Sequence, residues 1–278
     1  MQLRPFRLSD IEFALVQTAR EGWLSSRACL EAIVESQPDG CFIAEQDGRP
    51  VGMVTSTRYL ATGWIGNLVV LPECRRQGLG TKLMTRAFEH LKESGIRTIR
   101  LEADAPGVPI YRKLGFTDVC QSLRFVLARP VPDKQAPLEP LTIDHLTALA
   151  DFDRPRFGDN RIKFLRALQL RASAAWLLQN PSGILGYVML LPTESGTRIG
   201  PLVACDQDSA LRLTRLAISK CPDQTLSIGI PAVNKQAIEL CRSLAFEVRP
   251  ASVRMIWGEE QGQGDPDNIF GIASGATG

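Results

Sequence analysis

The chain has 278 residues, of which 44% are hydrophobic and 22% are charged, and its formal net charge is only +2. This length and composition suit two globular domains with sizeable cores. The small net charge gives no support for a nucleic-acid-binding protein. The longest apolar stretch, residues 184–191, is too short to predict a membrane-spanning helix, and the N-terminus lacks the apolar segment of a signal peptide.

The cysteines and histidines indicate a reduced protein without a metal centre. Seven cysteines are scattered without Cys-x-x-Cys spacing, and several lie in apolar runs. They are predicted to be reduced core residues of a cytoplasmic protein. The two histidines, His90 and His145, lack partners at metal-ligand spacing, so neither a metal site nor a histidine-based triad is expected.

Hydrophobic periodicity and turn signals divide the first half into alternating helices and strands. The helix that follows the third predicted strand carries Leu79, Leu83, Ala87 and Leu91 at four-residue spacing, which predicts a buried stripe. In chain order the predicted elements are helices at 10–20 and around 29–34, strands at 41–45, 51–55 and 64–71, the helix after residue 78, a strand at 98–103, a short helix ending at 111–116, and a strand at 123–127.

A glycine-containing loop follows the predicted strand at 64–71. Residues 75–81 read Arg-Arg-Gln-Gly-Leu-Gly-Thr and lead directly into a helix. Glycines let backbone N–H groups converge on an anion, and the positive end of the helix dipole points at the same place. The loop is therefore a predicted phosphate site, at whose rim Arg75 and Arg76 either add charge or form a solvated pair.

The second half repeats the first. A shift of 134 residues aligns 64–70 with 198–204, whereas a shift of 130 aligns 114–116 with 244–246. Such colinear similarity indicates two copies of one mixed α/β fold. The difference between the shifts predicts a deletion before the second copy's helix, where Cys205–Ala210 holds two acids and no glycine. Only the first copy is therefore expected to bind a pyrophosphate.

Two motifs in the first half resemble the GNAT N-acetyltransferases. Arg75–Gly80 fits the family's (Gln/Arg)-x-x-Gly-x-(Gly/Ala) signature, and Tyr111–Phe116 resembles its Tyr-x-x-Leu-Gly-Phe segment. Further segments are similar to a bacterial tandem-GNAT subgroup with a YitH-like second domain. The resemblance implies the acyl-CoA N-acyltransferase fold, with a catalytic domain at 1–128, a proline-rich linker at 129–140 and a degenerate domain at 141–278.

The same resemblance implies acetyl-CoA as the co-substrate and assigns residues to it. Tyr111 would protonate the leaving thiolate. The main chain of the strand would pair with the pantetheine arm, and the loop would bind the pyrophosphate. The implied cofactor-binding residues are Leu68, Val69, Val70, Arg75, Arg76, Gln77, Gly78, Leu79, Gly80 and Thr81.

Three further features bear on the acceptor. No acid lies on 64–71, where many relatives carry a glutamate, so Glu102 and Asp104 are the candidate general bases, unless they are only solvated strand ends. Cys241 stands where Tyr111 stands in the first half, which predicts a second half that walls the acceptor site or covers the first domain. The charged residues 153–161 either contact the acceptor or form a solvated or interdomain loop.

These observations predict an enzyme that moves an acetyl group from acetyl-CoA to the primary amine of a small molecule. Direct attack is expected because no activated cysteine or serine constellation is visible. Two alternatives remain, namely a non-catalytic acyl-CoA-binding sensor or scaffold, and acetylation of a protein Nα or lysine amine. We expect a cytoplasmic monomer or homodimer with no metal, nucleic-acid or membrane partner.

Overall fold

The computed structural model describes residues 2–260 and 262–278. The helices are α1 (Ile11–Arg20), α2 (Arg27–Ser36), α3 (Leu79–Glu93), α4 (Val108–Lys113), α5 (Leu146–Phe157), α6 (Ile162–Gln169), α7 (Gln207–Ser219) and α8 (Lys235–Ser243). The strands are β1 (Gln2–Pro5), β2 (Phe42–Gln46), β3 (Arg49–Arg58), β4 (Thr62–Val70), β5 (Thr98–Ala103), β6 (Thr117–Leu127), β7 (Glu139–Pro140), β8 (Ala174–Asn180), β9 (Gly183–Thr193), β10 (Gly196–Ala204), β11 (Leu226–Pro231), β12 (Glu247–Gly258) and β13 (Ile269–Gly271).

All of these strands belong to one mixed sheet. Its order is β1-β2-β3-β4-β5-β12-β6-β11-β10-β9-β8-β7, and β13 pairs with β10. The mixed α/β fold with two similar halves agrees with the prediction. The predicted linker, 129–140, contains no helix, and its last two residues form β7.

The two halves exchange their closing strands. β12, from the second half, lies between β5 and β6 and pairs antiparallel with both. β6, from the first half, pairs in turn with β11. Each half therefore completes its sheet with a strand of the other, which the sequence did not predict.

Apolar side chains explain the packing of the helices on this sheet. The predicted stripe on α3 is confirmed, since Leu79, Leu83, Ala87 and Leu91 are all buried against the first half of the sheet. Helices α1 and α2 share a second core with α5 and α6 of the other half. Within the described residues, every helix is too short or too polar to cross a lipid bilayer.

The neighbouring strands β4 and β5 separate part-way along their length. Their parallel pairing runs from Thr62 opposite Thr98 to Ile65 opposite Leu101 and then stops. Just beyond it, Asn67 has a positive φ of 50° and donates from its side-chain amide to Thr55 Oγ1 at 3.0 Å. This irregularity turns β4 away from β5 and opens a cleft between them.

The corresponding opening in the second half is occupied by the protein's own chain. β10 and β11 pair at two positions only, Thr197 opposite Leu226 and Arg198 opposite Ser227. β13 lies antiparallel to β10 beyond them, and the N–H of Ile272, the residue after β13, donates to the carbonyl oxygen of Gly229 on β11 at 2.9 Å. The strand edges that are open in the first half are closed here.

The charged segment 153–161 joins the two halves. Asp159 accepts hydrogen bonds from the backbone N–H of Ala61 at 3.0 Å and of Thr62 at 2.7 Å, both at the start of β4. Asp153 and Arg161 form an ion pair whose side chains are each 1% exposed. These contacts favour an interdomain role over contact with the acceptor, although residues 153–157 belong to helix α5 and not to a loop.

Replacing Arg161 by methionine is expected to lower the free energy of unfolding by about 3–5 kcal/mol, because Asp153 is left as an unpaired buried charge. Urea denaturation measures the loss. The matched control is Arg27→Met, which removes surface ion pairs with Glu12 and Glu31 and should have a much smaller effect. Equal losses in the two variants would contradict the structural role of the buried pair.

Candidate active site

The predicted phosphate loop connects β4 to α3 through a short turn. Pro72–Cys74 form one 3₁₀ turn, after which Arg76 and Gly78 take left-handed backbone conformations with φ values of 63° and 76°. Gly78 caps α3 in this conformation, which glycine adopts without steric cost. The loop therefore wraps tightly around the helix N-terminus.

The loop presents a row of unused backbone donors. Among the described residues, the N–H groups of Gln77 to Thr81 have no hydrogen-bond acceptor, and the first bonded one belongs to Lys82, which donates to Gly78 at 3.0 Å. Of these residues only Leu79 is buried. Free N–H groups at a helix N-terminus form a ready anion site. We call the backbone of residues 77–81 the amide cradle.

The two loop arginines differ in their contacts. Arg75 pairs with Glu21 and donates from Nε to the carbonyl oxygen of Val70 at 2.8 Å, so it ties the loop to β4 and to the end of α1. Arg76 is exposed, and the described part of the chain provides no ion pair for it. Arg76 is therefore the arginine available to an anion in the cradle.

The second half has no equivalent of the amide cradle in its described residues. Two residues, 205–206, separate β10 from α7, whereas eight residues, 71–78, separate β4 from α3. The side chain of Asp206 caps α7 and accepts from the N–H of Ser209 at 2.7 Å. The helix N-terminus thus already has a negative partner of its own.

The end of β4 has an edge that could receive an extended ligand. Val69 pairs with Met53 and Val70 with Gly52 on β3, whereas the register with β5 ends at Ile65. The main chain of residues 68–70 therefore has no strand partner on its β5 side within the described structure, although the carbonyl oxygen of Val70 accepts from Arg75 Nε. An amide-bearing chain can add to such an edge as a further strand does.

Tyr111 lies on the short helix α4, beside the phenyl ring of Phe116, with ring centroids 6.0 Å apart. Burial and, to a smaller extent, the charge of Asp104 raise the pKa of its hydroxyl to about 12. No described residue hydrogen-bonds to that hydroxyl. Tyr111 therefore keeps its proton at physiological pH and has it available for a ligand.

Glu102, on β5, is held by residues of the exchanged strand β12. Arg254 Nη2 donates to Oε1 at 2.8 Å, and the hydroxyl of Ser252 donates to Oε2 at 3.2 Å. The backbone of Gly275 covers Oε2 closely, since a Cβ there would lie 2.8 Å from it. One carboxylate oxygen is thus ion-paired, and the other has a single neutral donor.

Asp104 follows β5 and uses both of its oxygens in contacts with protein. Arg124 Nη2 donates to Oδ1 at 2.7 Å, and Trp23 Nε1 donates to Oδ2 at 2.5 Å. These bonds join the segment between α1 and α2 to β6. Asp104 is consequently arranged as an anchor for two neighbouring side chains.

A cavity lies between the halves, next to the point where β4 and β5 separate. Its volume is about 100 Å³, counted as the space that the centres of water molecules can occupy. This is enough for several waters or a small organic molecule. We call it the central cavity. Its lining includes Trp23, Leu30, Ile33, Gly66, Asn67, Glu102, Asp104, Ser122, Arg124, Arg198, Ser252, Ile272, Ser274, Gly275 and Ala276.

Comparisons with known proteins assign both halves to one family. The model of the acetyltransferase (GNAT) family matches residues 10–116, and that of an acetyltransferase (GNAT) domain matches residues 149–271. A crystal structure from Pyrococcus horikoshii, assigned to the acetyltransferases, superposes with a TM-score of 0.86 at 28% identity and covers 100% of this chain and 95% of the other. The chain is a tandem GNAT acetyltransferase.

Curated relatives support this assignment over different lengths. Holothin acyltransferase of a Pseudoalteromonas strain is 23% identical, over 98% of this chain and 92% of its own. The uncharacterized N-acetyltransferase YitH of Bacillus subtilis is 28% identical, over 60% of each chain. A tandem GNAT protein from the clavulanic acid pathway has a TM-score of 0.63 at 16% identity, which shows likeness of fold alone.

In this tandem GNAT enzyme the structure brings Glu102 and Asp104 into one cavity, whereas the amide cradle and Tyr111 lie outside its lining. Sequence reasoning missed several other lining residues because they come from distant segments. Those on strands were marked only by their polarity among apolar neighbours, and those in connecting segments had no local signal. The missed polar residues are Trp23, Ser25, Ser26, Asn67, Ser122, Arg124, Arg198, Ser252 and Ser274.

Proposed function

We propose that this enzyme transfers an acetyl group from acetyl-CoA to the primary amine of a small molecule. The observation that carries the proposal is the amide cradle, which stands at the end of the unpaired β4 edge. The cleft at that edge opens beside the central cavity. A CoA thioester has a pyrophosphate that the amide cradle could bind and an amide-bearing arm that could pair with the β4 edge. Its acyl carbon would then reach the central cavity.

The residues of the first half divide the work of the reaction. Residues 77–81 and Arg76 bind the pyrophosphate, and the main chain of residues 68–70 pairs with the pantetheine arm. Backbone N–H groups at this opening stabilise the oxyanion that forms when the amine attacks the thioester. Tyr111 donates its proton to the departing sulfur, and the amine is acetylated without a covalent enzyme intermediate.

The attacking amine must lose a proton, and Glu102 is the better placed of the two candidate bases. Its Oε2 has one neutral donor, whereas both oxygens of Asp104 are engaged by Arg124 and Trp23. We assign proton removal to Glu102, directly or through one water molecule. Asp104 holds the cavity wall in place.

Glu102→Gln is expected to lower kcat by about 100-fold, the lower end of the usual effect of losing a general base. Asp104→Asn is the matched control because it also removes one carboxylate from the cavity wall. It should act mainly on the KM of the acceptor and lower kcat less than about tenfold. Steady-state thiol release measures both constants, and the opposite ranking of the two variants would reassign the base to Asp104.

The nature of the acceptor is inferred from the shape of the cavity. The C-terminal residues Ser274, Gly275 and Ala276 form one wall of it, which leaves little room for a protein chain. A relative that spans nearly the whole chain is called holothin acyltransferase. All seven cysteines are free, which supports a cytoplasmic setting. We further propose that the protein is a monomer or a homodimer.

The test is a thiol-release screen of the purified protein with acetyl-CoA. Amino acids, polyamines, aminoglycosides and peptides are supplied as acceptors, and N-acetylated products are identified by mass spectrometry. Release that depends on a small amine supports the proposal. Release with peptides alone would favour a protein amine, and acetyl-CoA binding without release for any acceptor would favour a sensor.

A further inference from the structure

Arg198 is a cationic side chain on β10 that lines the central cavity from the side of the second half. Its Nη2 donates to the carbonyl oxygen of Leu24 at 2.7 Å. Its Nε is completely buried and has no hydrogen-bond partner among the described residues. A buried guanidinium N–H without an acceptor is costly, which suggests that a ligand atom or water completes the site.

The other charges in the cavity wall are already paired. Glu102 is bonded to Arg254, and Asp104 is bonded to Arg124. Arg198 has no carboxylate partner in the described part of the chain. Among the charged residues of the lining, Arg198 is therefore the one that no protein carboxylate pairs in this part of the chain.

The groups nearest to Arg198 do not neutralise it. Burial raises the pKa of the Cys29 thiol, so that neighbour stays uncharged. Burial, and secondarily the positive charge of Arg124, lower the pKa of Arg198, while Glu102 acts in the opposite direction. An arginine stays protonated in proteins even when its pKa falls. Arg198 is therefore a cation to which a ligand anion could bind.

The position of Arg198 in the sheet sets it apart from the reacting centre. The lining runs from Asn67 on β4 through Glu102 on β5 and Arg124 on β6 to Arg198 on β10. The acetyl group would arrive at the β4 end, where the strands separate. A ligand that reaches both ends therefore places its amine near Glu102 and a second group near Arg198.

We propose that the acceptor is an amine that carries a carboxylate, and that Arg198 of the second half binds this carboxylate. The planar guanidinium fork matches the geometry of a carboxylate, and burial strengthens the bond. Substrate recognition is thereby divided, with CoA bound by the first half and the acidic end of the acceptor held by the second. This inference rests on the proposed acetyltransferase function and adds the class of its acceptor.

The test measures the binding of acetylated products in place of amine acceptors. An acceptor and its amide would differ in the pKa of the amine as well as in the carboxylate, so their comparison would not isolate the carboxylate. N-acetylglycine, N-acetyl-β-alanine and N-acetyl-4-aminobutyrate, each with its primary amide, are titrated calorimetrically into the enzyme saturated with CoA. We expect at least one acid to bind about 10- to 100-fold more tightly than its amide, as a charge-assisted hydrogen bond provides. Equal or undetectable binding of acid and amide in every pair would overturn the proposal.

Variants of Arg198 assign any preference to this residue. Arg198→Met should remove the difference between acid and amide, and Arg198→Lys should restore part of it. Arg212→Met, an exposed position on α7, is the matched control and should retain the full difference. A preference that persists in Arg198→Met would exclude Arg198 as the carboxylate site. The dissociation constant of acetyl-CoA and the unfolding temperature verify that each variant is folded.

A thiol-release assay separates failure of this inference from failure of the proposed function. Release with uncharged or cationic amines, together with equal binding of acids and amides, would leave the acetyltransferase function intact and overturn the carboxylate site. Absence of release with every amine, while the acids still bind more tightly than the amides, would support the site and count against the reaction.

Discussion

Replacing Gly80 by glutamate is expected to raise the dissociation constant of acetyl-CoA by about 100-fold or more, because like charges held together cost several kcal/mol. Gly80 lies within the amide cradle, at the second residue of α3. The added carboxylate would stand beside the N–H groups that the pyrophosphate requires. Isothermal titration calorimetry with acetyl-CoA measures the effect.

The fold itself should tolerate a side chain at this position. A Cβ on Gly80 would meet no atom closer than Val70 Cγ2, at 3.8 Å. A negative charge in the first turn of a helix is also favourable for the helix. Loss of binding in Gly80→Glu would therefore report on the ligand site and would not require unfolding.

Gly80→Ala is the matched control for this experiment. Alanine adds a single methyl group, and in a helix it is favoured over glycine by about 0.5–1 kcal/mol. We expect acetyl-CoA to bind within a few-fold of its normal affinity and the unfolding temperature to stay the same or rise. Wild-type affinity in Gly80→Glu, or two CoA molecules bound per chain, would contradict a single cradle in the first half.

Replacing Tyr111 by phenylalanine is expected to lower kcat by about 10²- to 10⁴-fold, the usual range for a general acid. The dissociation constant of acetyl-CoA should stay unchanged, because the hydroxyl is assigned to the departing sulfur and not to binding. Single-turnover thiol release and equilibrium titration measure the two quantities. An unchanged kcat would remove Tyr111 from the mechanism.

The pKa of Tyr111 also predicts the shape of the pH profile. Burial and the charge of Asp104 raise this pKa to about 12, so the hydroxyl stays protonated far above neutral pH. Activity should therefore show no loss from ionisation of Tyr111 between pH 7 and pH 10, since loss of the acid form begins only as the pH approaches its pKa. A falling limb in that interval that disappears in Tyr111→Phe would contradict the raised pKa.

Tyr59 provides the matched control for Tyr111. It is buried, and its hydroxyl donates to the carbonyl oxygen of Thr277 at 2.7 Å, away from the proposed reaction. Tyr59→Phe should lower the free energy of unfolding by about 1 kcal/mol through the lost hydrogen bond. Its kcat should remain close to normal, so a large loss in Tyr111→Phe alone would separate chemistry from packing.

Local features of the first half were predictable because they are contiguous in the chain. The strand predicted over residues 98–103 is β5, and the strand predicted over 64–71 is β4, with bounds one or two residues away. The amide cradle depends on a glycine with positive φ next to a helix N-terminus. The strands and the cradle are each formed by a few adjacent residues, so the sequence was sufficient to locate them.

The C-terminal segment gave no comparable signal. Residues 269–271 look like one more short apolar strand, yet β13 fills the opening between β10 and β11, and Ser274–Ala276 wall the central cavity. An unpaired strand edge can accept any chain with free N–H and C=O groups. The segment that pairs with such an edge is the one that the packing of the whole molecule places beside it.

The sequence by itself indicated the family, the duplication, the glycine loop before α3 and the short helix that carries Tyr111, because these depend on local motifs and on their colinear recurrence. Only the tertiary structure decided that β6 and β12 change places, that Glu102 meets Arg254, and that Arg198 of the second half faces the same cavity. Strand pairing joins residues far apart in the chain through backbone groups that all residues share. Side-chain patterns therefore predict that a strand forms, whereas the packing of the whole molecule selects its neighbour.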